Sequence, residues 1–384
     1  MKLILFLFCF IIVLSNNINS KTVADEKEIL KIGLILPLSG EHKKIGYSIL
    51  NSVRMALSKI GSNNIKIYPR DNEANPKKTL LVANELKDIG INVVIGPVFN
   101  ENLLHLNEVQ EIVFLTLSNK IKKNNSNNII YAGVNALSQF TTIVNFLKKE
   151  KLNKTIILIP RFSHEEEIRS NLNQVKHKFF KIYSYDSDPE KLTKQIQQIT
   201  NYQVRKNNLK RRIKILENSN STSDKRRLKI LKKKDTLGDV NFDSIVIADF
   251  DDSLKSITTS FLYSDVNSKK TKFITLNQWF DKSLFKENST NHIYFPSINI
   301  DNYNKFNETY FINFDEYPSK ISIISYDILG LIYFLNKKNK ITKNSFKEKR
   351  IFKGQVSNFE IKNNYINYKL QLYQVNDGKF KKAN

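Results

Sequence analysis

Polar side chains that could bind a small molecule follow several buried strands of the predicted fold, at the point where each strand ends. Residues 32–36 form an apolar run that is interrupted only by Gly33 and is followed by Ser39 and Gly40. Such runs are typical of parallel strands, and open α/β sheets bind ligands at their carboxyl strand ends. These positions predict non-covalent recognition through hydrogen bonds and aromatic contacts. The candidate contacts are Ser39, Asn100, Ser118, Asn119, Phe162, Asn277 and Trp279.

Two of these candidates have alternative interpretations. Ser39 could bind a ligand carboxylate, or it could cap the following helix while Gly40 only makes the turn, because serine is a preferred N-cap. Trp279 is the only tryptophan. Its indole could cover a ligand in a cleft, or it could fill the core of a lobe.

Covalent catalysis and metal chemistry are not indicated. His164 follows a strand, but no partner that could position it for proton transfer lies at a recognisable spacing. Asp249, Asp251 and Asp252 resemble part of a calcium loop that lacks its glycine and its distal glutamate, so helix capping is the expected role. The sequence also lacks a Gly-x-Ser-x-Gly elbow and a histidine pair at metal spacing. We therefore expect a protein that is not an enzyme and uses neither metal nor cofactor.

The elements that position these residues alternate between strands and helices. After the first strand, apolar residues at helical spacing predict a helix ending near Gly61, and the alternation continues through residue 117. This part includes a helix predicted for residues 103–112. A similar alternation restarts at residue 155, which predicts two α/β lobes with a boundary near residues 134–140. Residues 350–380 read as short β segments with a hairpin turn at Asp377 and Gly378.

The amino terminus reads as a secretory signal peptide. Lys2 precedes an apolar run over residues 3–14, and a polar stretch with a small-residue cleavage site ends at Ser20. Cys9 is the only cysteine and lies inside the apolar run, so it does not mark a lipoprotein modification site. We expect residues 1–20 to direct export to the periplasm, and a mature chain without disulfides.

The chain is strongly basic, with 61 Lys and Arg against 37 Asp and Glu and a formal net charge of +24. Export argues against a nucleic-acid partner. Residues 205–234 contain 13 Lys and Arg but only Glu217 and Asp224 as acids, and a polar break at 218–223 splits them into two predicted helices. The resulting hairpin could contact an anionic surface, or it could be a solvated helix pair whose charge serves solubility.

The order of these pieces resembles the type I periplasmic binding proteins, the leucine/isoleucine/valine-binding family. Residues 31–40 resemble the opening strand of that family, residues 94–97 a later signature of the first lobe, and residues 325–327 a late helix signature. Within this superfamily the closer likeness is to penicillin-binding protein activators. That likeness rests on residues 117–119, 226–228, 235–238, 242–243 and Trp279.

The resemblance implies two Rossmann-like lobes that are joined by three crossings and close around a ligand. It assigns residues 28–137 and 298–355 to lobe one, and residues 138–297 and 356–384 to lobe two. The basic helical hairpin, residues 192–236, is inserted in lobe two. Asn277 takes the place where the family has an acid for the ammonium group of the ligand, and a neutral amide does not neutralise an ammonium group.

The function implied is that of an exported, non-catalytic binding protein. It would hold a small polar ligand, amino-acid-like or an amide, between its lobes and deliver it to a membrane permease complex of the ABC type. The alternative is a regulator of peptidoglycan synthesis, similar to penicillin-binding protein activators, that acts by contact with a cell-wall synthase.

Overall fold

The computed structural model describes residues 29–120, 126–161, 165–338, 341–347 and 351–383. These residues form two mixed β-sheets with flanking helices, one sheet in each of two lobes. The predicted α/β class with two lobes is therefore confirmed. The predicted signal peptide, residues 1–20, lies outside the described residues.

The strands are numbered along the chain. They are β1 (Leu30–Leu36), β2 (Ile65–Asp71), β3 (Val93–Ile95), β4 (Val113–Thr116), β5 (Ile129–Tyr131), β6 (Thr155–Pro160), β7 (Lys181–Tyr185), β8 (Ser244–Ile247), β9 (Lys272–Thr275), β10 (Tyr294–Ser297), β11 (Ile351–Lys353), β12 (Asn358–Lys362), β13 (Tyr365–Tyr368), β14 (Gln371–Asn376) and β15 (Lys379–Lys382).

None of the described helices combines the length and apolar composition needed to cross a bilayer. They are α1 (Lys43–Ile60), α2 (Pro76–Asp88), α3 (Ala136–Lys149), α4 (Glu165–Gln174), α5 (Pro189–Ile199), α6 (Tyr202–Glu217), α7 (Thr222–Leu231), α8 (Asp251–Tyr263), α9 (Ile300–Phe314) and α10 (Ser322–Asn336).

The first sheet has the strand order β11-β12-β13-β5-β4-β3-β1-β2, and the second has β15-β14-β10-β9-β8-β6-β7. Strands β1 to β5 are parallel, as are β6 to β10, while the last strands add antiparallel edges. Ile32, Leu34 and Ile35 are completely buried. An apolar run without alternation is what a strand covered on both faces requires, so this prediction is confirmed.

The third crossing between the lobes lies at residues 369–370 and not at residue 356, where the sequence analysis placed it. β12 and β13 belong to the first sheet, because β13 runs parallel to β5 with Tyr365 opposite Tyr131. Only β14 and β15 belong to the second sheet, where β14 pairs with β10. All these strands have the same short alternating pattern, so nothing in the sequence tells which sheet accepts them.

The prediction of a helix at residues 103–112 is wrong. Two short 3-10 turns, Asn100–Leu103 and Leu106–Glu108, replace it, and His105 between them has a left-handed φ of 69°. The buried apolar residues of this stretch recur every third position, which is the period of a 3-10 helix. They are Leu103, Leu106, Val109 and Ile112.

The basic hairpin is formed by α6 and α7, and its extent is narrower than the predicted 192–236. Residues 192–199 belong to α5, which packs on lobe two with Leu192 and Ile196 buried. Helix α7 has no buried residue. The hairpin therefore projects from the lobe and is supported mainly at its base.

Candidate functional site

The carboxyl ends of the two sheets face each other. The chain leaves the first sheet at the carboxyl end of β5 and enters α3, whose amino terminus lies at the carboxyl edge of the second sheet because helices run antiparallel to the strands they flank. It returns from the carboxyl end of β10 into α9, and crosses again from the carboxyl end of β13 into β14. All three crossings thus join the same two edges, and the space between these edges is the candidate cleft.

Hydrogen bonds tie the crossings together. The Asn135 side chain donates from Nδ2 to the Ile366 carbonyl (2.7 Å), and the Tyr368 hydroxyl donates to the Ala132 carbonyl (2.7 Å). At the second crossing, the backbone N–H of Ile300 donates to the Tyr373 hydroxyl (2.9 Å). These hydrogen bonds hold the crossing segments together at the back of the candidate cleft.

Ser39 lies at the end of β1 but does not cap α1. That helix begins at Lys43, and its N-cap residue His42 makes no side-chain cap bond. The Ser39 side chain instead interacts with the carboxyl of Asp71, the last residue of β2. Burial alone would raise the pKa of Asp71, but this interaction and the hydrogen bonds from the Glu73 and Leu38 N–H groups outweigh it, so the pKa lies below its usual value. Ser39 thus supports a turn at the cleft edge.

Asn100 begins the 3-10 turn that follows β3. Its Oδ1 is buried and accepts no hydrogen bond from any described residue. Both amide atoms of Asn102, which is fully buried, are likewise without a partner in the described part of the chain. Buried amides of this kind are costly unless water or another molecule satisfies them. Next to Asn100, the Phe99 ring contacts the His42 ring with centroids 4.6 Å apart.

Ser118 and Asn119 follow β4. Ser118 is 6% exposed, and its Oγ accepts from the Lys120 N–H (3.2 Å). Asn119 is exposed. Gly133 packs directly against this tip: a Cβ at position 133 would lie 2.5 Å from the Ser118 carbonyl oxygen and from the Asn119 nitrogen. The first crossing therefore needs a glycine here so that the tip can keep its position.

Asn277 follows β9 in lobe two, and its side-chain oxygen already accepts two hydrogen bonds. Oδ1 accepts from the Ser297 hydroxyl (2.8 Å) and from the Trp279 N–H (3.0 Å). Its backbone N–H donates to Gln139 Oε1 (2.8 Å). The Nδ2 group makes no hydrogen bond with the described residues. Asn277 thus shapes the tip and offers only donors to a ligand.

Trp279 is half-buried and packs against the hydrophobic core. Its backbone is left-handed, with a φ of 47°. This arrangement agrees with the core-filling interpretation and leaves part of the indole exposed. Phe162 and His164 lie outside the described residues, so the prediction that Phe162 contacts a ligand stays a prediction.

A carboxylate at the end of β8 was not predicted as a cleft residue. Asp249 accepts a hydrogen bond from the Tyr185 hydroxyl at Oδ2 and from the Phe250 N–H at Oδ1 (2.9 Å). Burial, followed by the nearby Asp249 charge, raises the pKa of Tyr185 far above its ordinary value, so this hydroxyl stays protonated as a donor. The sequence signal was present, because Asp249 directly follows a buried strand, but its acidic neighbours favoured a capping role. Among the described residues, no group of three or more metal-binding side chains converges.

Comparison with known proteins identifies several that share this architecture. Residues 29–164 match the model of a family described as periplasmic binding protein. Along 92% of its length the chain superposes on all of the C-domain of LpoA from Haemophilus influenzae, a regulator of PBP1A, with a TM-score of 0.64 and 14% identity. The chain has the fold of the type I periplasmic binding proteins. Full-length LpoA is longer, and this chain spans 59% of it.

Branched-chain amino acid binding proteins share this periplasmic binding protein fold. A putative branched-chain amino acid ABC transporter protein from Rhodospirillum rubrum matches 92% of the chain over 99% of its own length, with a TM-score of 0.69 and 10% identity. The binding protein LivJ from Streptococcus pneumoniae, solved with isoleucine, matches 92% over 98% of its own length, with a TM-score of 0.53 and 14% identity. No curated protein matches the sequence. The fold is thus common to transport proteins and to a regulator.

Proposed function

We propose that this protein is a non-catalytic binding protein that holds a small polar ligand between its two lobes. The observation that carries the proposal is the topology: three crossings turn the polar carboxyl ends of both sheets toward one cleft. In open α/β sheets this edge is where ligands collect. LivJ from Streptococcus pneumoniae, which shares this fold, was solved with isoleucine, and this supports a ligand of that size.

The hydrogen-bonding groups that remain at these edges suggest the ligand class. Asn277 retains its Nδ2 donors, and the Ser118 hydroxyl can donate while it accepts from Lys120. Asp249, at the cleft edge of lobe two, already accepts hydrogen bonds from the Tyr185 hydroxyl and the Phe250 N–H. Donors suit a ligand with carbonyl or carboxylate oxygens. An amide or a carboxylate therefore fits better than a ligand that depends on a free ammonium group.

A second candidate, regulation of a cell-wall synthase by protein contact, is favoured by a specific observation. Ser39 and the side-chain oxygen of Asn277 already make contacts within their own lobes. A cleft whose polar groups support its own turns is what a protein without a small ligand would have. LpoA, a regulator of PBP1A, provides the precedent for such a role in this fold.

A thermal-shift screen against amino acids, amides and peptidoglycan fragments separates the two candidates. A ligand that binds only the folded state raises the melting temperature with concentration. Transport predicts such a ligand, and a permease and an ATPase encoded nearby. If no compound in these classes shifts the transition and the protein retains a cell-wall synthase in a pull-down, the regulatory function replaces the transport function.

We expect Asn277→Asp to weaken binding of the identified ligand about tenfold. The aspartate keeps an oxygen for Ser297 and for the Trp279 N–H but loses the Nδ2 donors, and one lost hydrogen bond costs about 1 kcal/mol or slightly more. Ser118→Ala should have a similar effect through its hydroxyl. Isothermal titration calorimetry gives both values, with Asn304→Ala and Ser58→Ala, at exposed positions, as controls. Unchanged affinity in both cleft variants would mean that the ligand binds elsewhere.

A further inference from the structure

The basic hairpin carries a groove, and the α7 residues that line it are not buried in the core of the protein. One face of α7 and the turn after it line a cavity of about 420 Å³. Four cationic side chains surround Ile230 there, and Ile230 is 60% exposed. The cations recur at positions 226, 229, 233 and 234, and are Arg226, Lys229, Lys233 and Lys234.

These four cations make no ion pair within the described part of the chain. The two acids of the hairpin bind other residues: Glu217 pairs with Lys232 (2.8 Å), and Asp224 lies 3.9 Å from Arg227. Arg226 and Lys229 lie three residues apart on α7, and like charges at this spacing repel each other by a few tenths of a kcal/mol. Because α7 buries none of its residues, packing does not compensate for this repulsion. An anionic partner would compensate for this repulsion.

The base of the hairpin is fixed to lobe two, so the groove is held in place before any partner binds. Arg205 is 5% exposed, and its guanidinium donates to the Thr200 carbonyl (3.1 Å), the Thr236 hydroxyl (3.0 Å) and the Ser264 carbonyl. These acceptors come from the end of α5, the exit of the hairpin and the end of α8. Burial lowers the pKa of Arg205 from its ordinary value, which still leaves it charged.

The base of the hairpin lies at the edge of the second sheet opposite the candidate cleft. Helices α5 and α8 run antiparallel to the strands before them, so their carboxyl ends lie at the amino edge of the second sheet. Arg205 joins the hairpin to these two ends. A partner on the groove therefore leaves the edge with Asn277 and Asp249 accessible.

We propose that the groove on α7 is a docking surface for a membrane that contains anionic phospholipid. Cations interleaved with a single exposed isoleucine suit the headgroup region, where phosphates bind Lys and Arg and a short apolar side chain reaches the acyl boundary. An acidic protein surface would satisfy the cations but would leave Ile230 against polar groups. This surface acts independently of the ligand proposed for the cleft.

Vesicle co-sedimentation tests the proposal, with phosphatidylcholine vesicles and with phosphatidylcholine–phosphatidylglycerol vesicles. The protein is used without residues 1–20, because the apolar run at 3–14 would itself enter lipid and every described element lies beyond it. We expect binding to the anionic vesicles only, weakened by salt. A variant with four glutamines should bind roughly several hundred-fold more weakly, since each basic residue near such a surface contributes about 1 kcal/mol and every 1.4 kcal/mol is tenfold in affinity. Its substitutions are Arg226→Gln, Lys229→Gln, Lys233→Gln and Lys234→Gln.

A matched control removes the same charge from exposed lysines of lobe one and should bind as the unmodified protein does. Its substitutions are Lys59→Gln, Lys66→Gln, Lys77→Gln and Lys305→Gln. Equal losses in both variants would show that only net charge matters and would overturn the proposal. Equal binding to both vesicle types, or binding to polyglutamate without binding to anionic vesicles, would overturn it too. Circular dichroism should show both variants folded, because α7 has no buried residue and the four control lysines are exposed.

Discussion

Gly46→Ala is expected to destabilise the protein by about 3 kcal/mol or more, although alanine is the better helix former. Gly46 lies in α1, where that helix passes the end of β1. A Cβ at this position would lie 2.0 Å from the Pro37 carbonyl oxygen and 2.7 Å from its carbon. Both atoms belong to the backbone, so a side-chain rotation cannot relieve the contact. The helix must instead move away from the β1 turn that carries Ser39.

Gly330→Ala provides the matched control. Gly330 also lies inside a helix, α10, but nothing lies within 4 Å of a Cβ added there. The same substitution should therefore stabilise the protein by about 0.5–1 kcal/mol, because alanine loses less conformational freedom on folding. Chemical denaturation of the two variants measures both values. Equal effects in the two helices would contradict the close contact at Pro37.

Asp327→Asn is expected to cost about 1–3 kcal/mol of stability near pH 5. Asp327 lies on α10 and accepts from the backbone N–H groups of Gln355 (2.7 Å) and Val356 (2.8 Å), one on each oxygen of its carboxyl group. An asparagine offers one oxygen, so its amide nitrogen would face a backbone donor. The segment between Gly354 and β12 then loses a point of attachment beside the second crossing, where the Asn299 N–H donates to the Val356 carbonyl (3.0 Å).

The same variant should change how stability depends on pH. Burial raises the pKa of Asp327 to about 7 from an ordinary value of 3.8, although the two backbone donors act in the opposite direction. The unfolded chain therefore releases this proton at a lower pH than the folded chain does. The contribution of Asp327 to stability is complete below pH 4 and declines by up to about 1.4 kcal/mol per pH unit as the pH rises to 7. Asp327→Asn should remove this decline.

Denaturation midpoints between pH 4 and 8 measure this effect, with Asp252→Asn as the control. The Asp252 side chain is 95% exposed, so its loss should leave the slope as it is in the unmodified protein. Tyr326 and Tyr368 lie beside Asp327, and burial raises the pKa of both, so neither titrates in this range. A slope that persists in Asp327→Asn would assign the pH dependence to other groups.

The sequence was sufficient to predict the two lobes, because the runs at 32–36 and 155–159 are apolar on both faces and each precedes a helix at regular spacing. The basic hairpin was equally predictable, because its charge and its polar break at 218–223 are local features of the sequence. Fold class and the identity of the buried strands were thus predictable from local patterns.

The details of the candidate cleft were not predictable, because they depend on contacts between distant residues. Ser39 was predicted to bind a ligand or cap a helix, but its partner is Asp71 at the end of another strand. The oxygen of Asn277 is bound by Ser297, which lies on β10. The sheet that accepts β13 was missed for the same reason, since its pairing with β5 joins residues more than 200 positions apart.

This long-range pairing has a consequence for synthesis of the protein. The first lobe begins the chain, yet its sheet is completed only when the ribosome has produced Tyr365 to Tyr368, and the second sheet waits for β14. Contacts of such high sequence separation form late in folding. A premature stop codon near residue 350 would remove strands from both sheets at once, so neither lobe could be obtained intact by simple truncation.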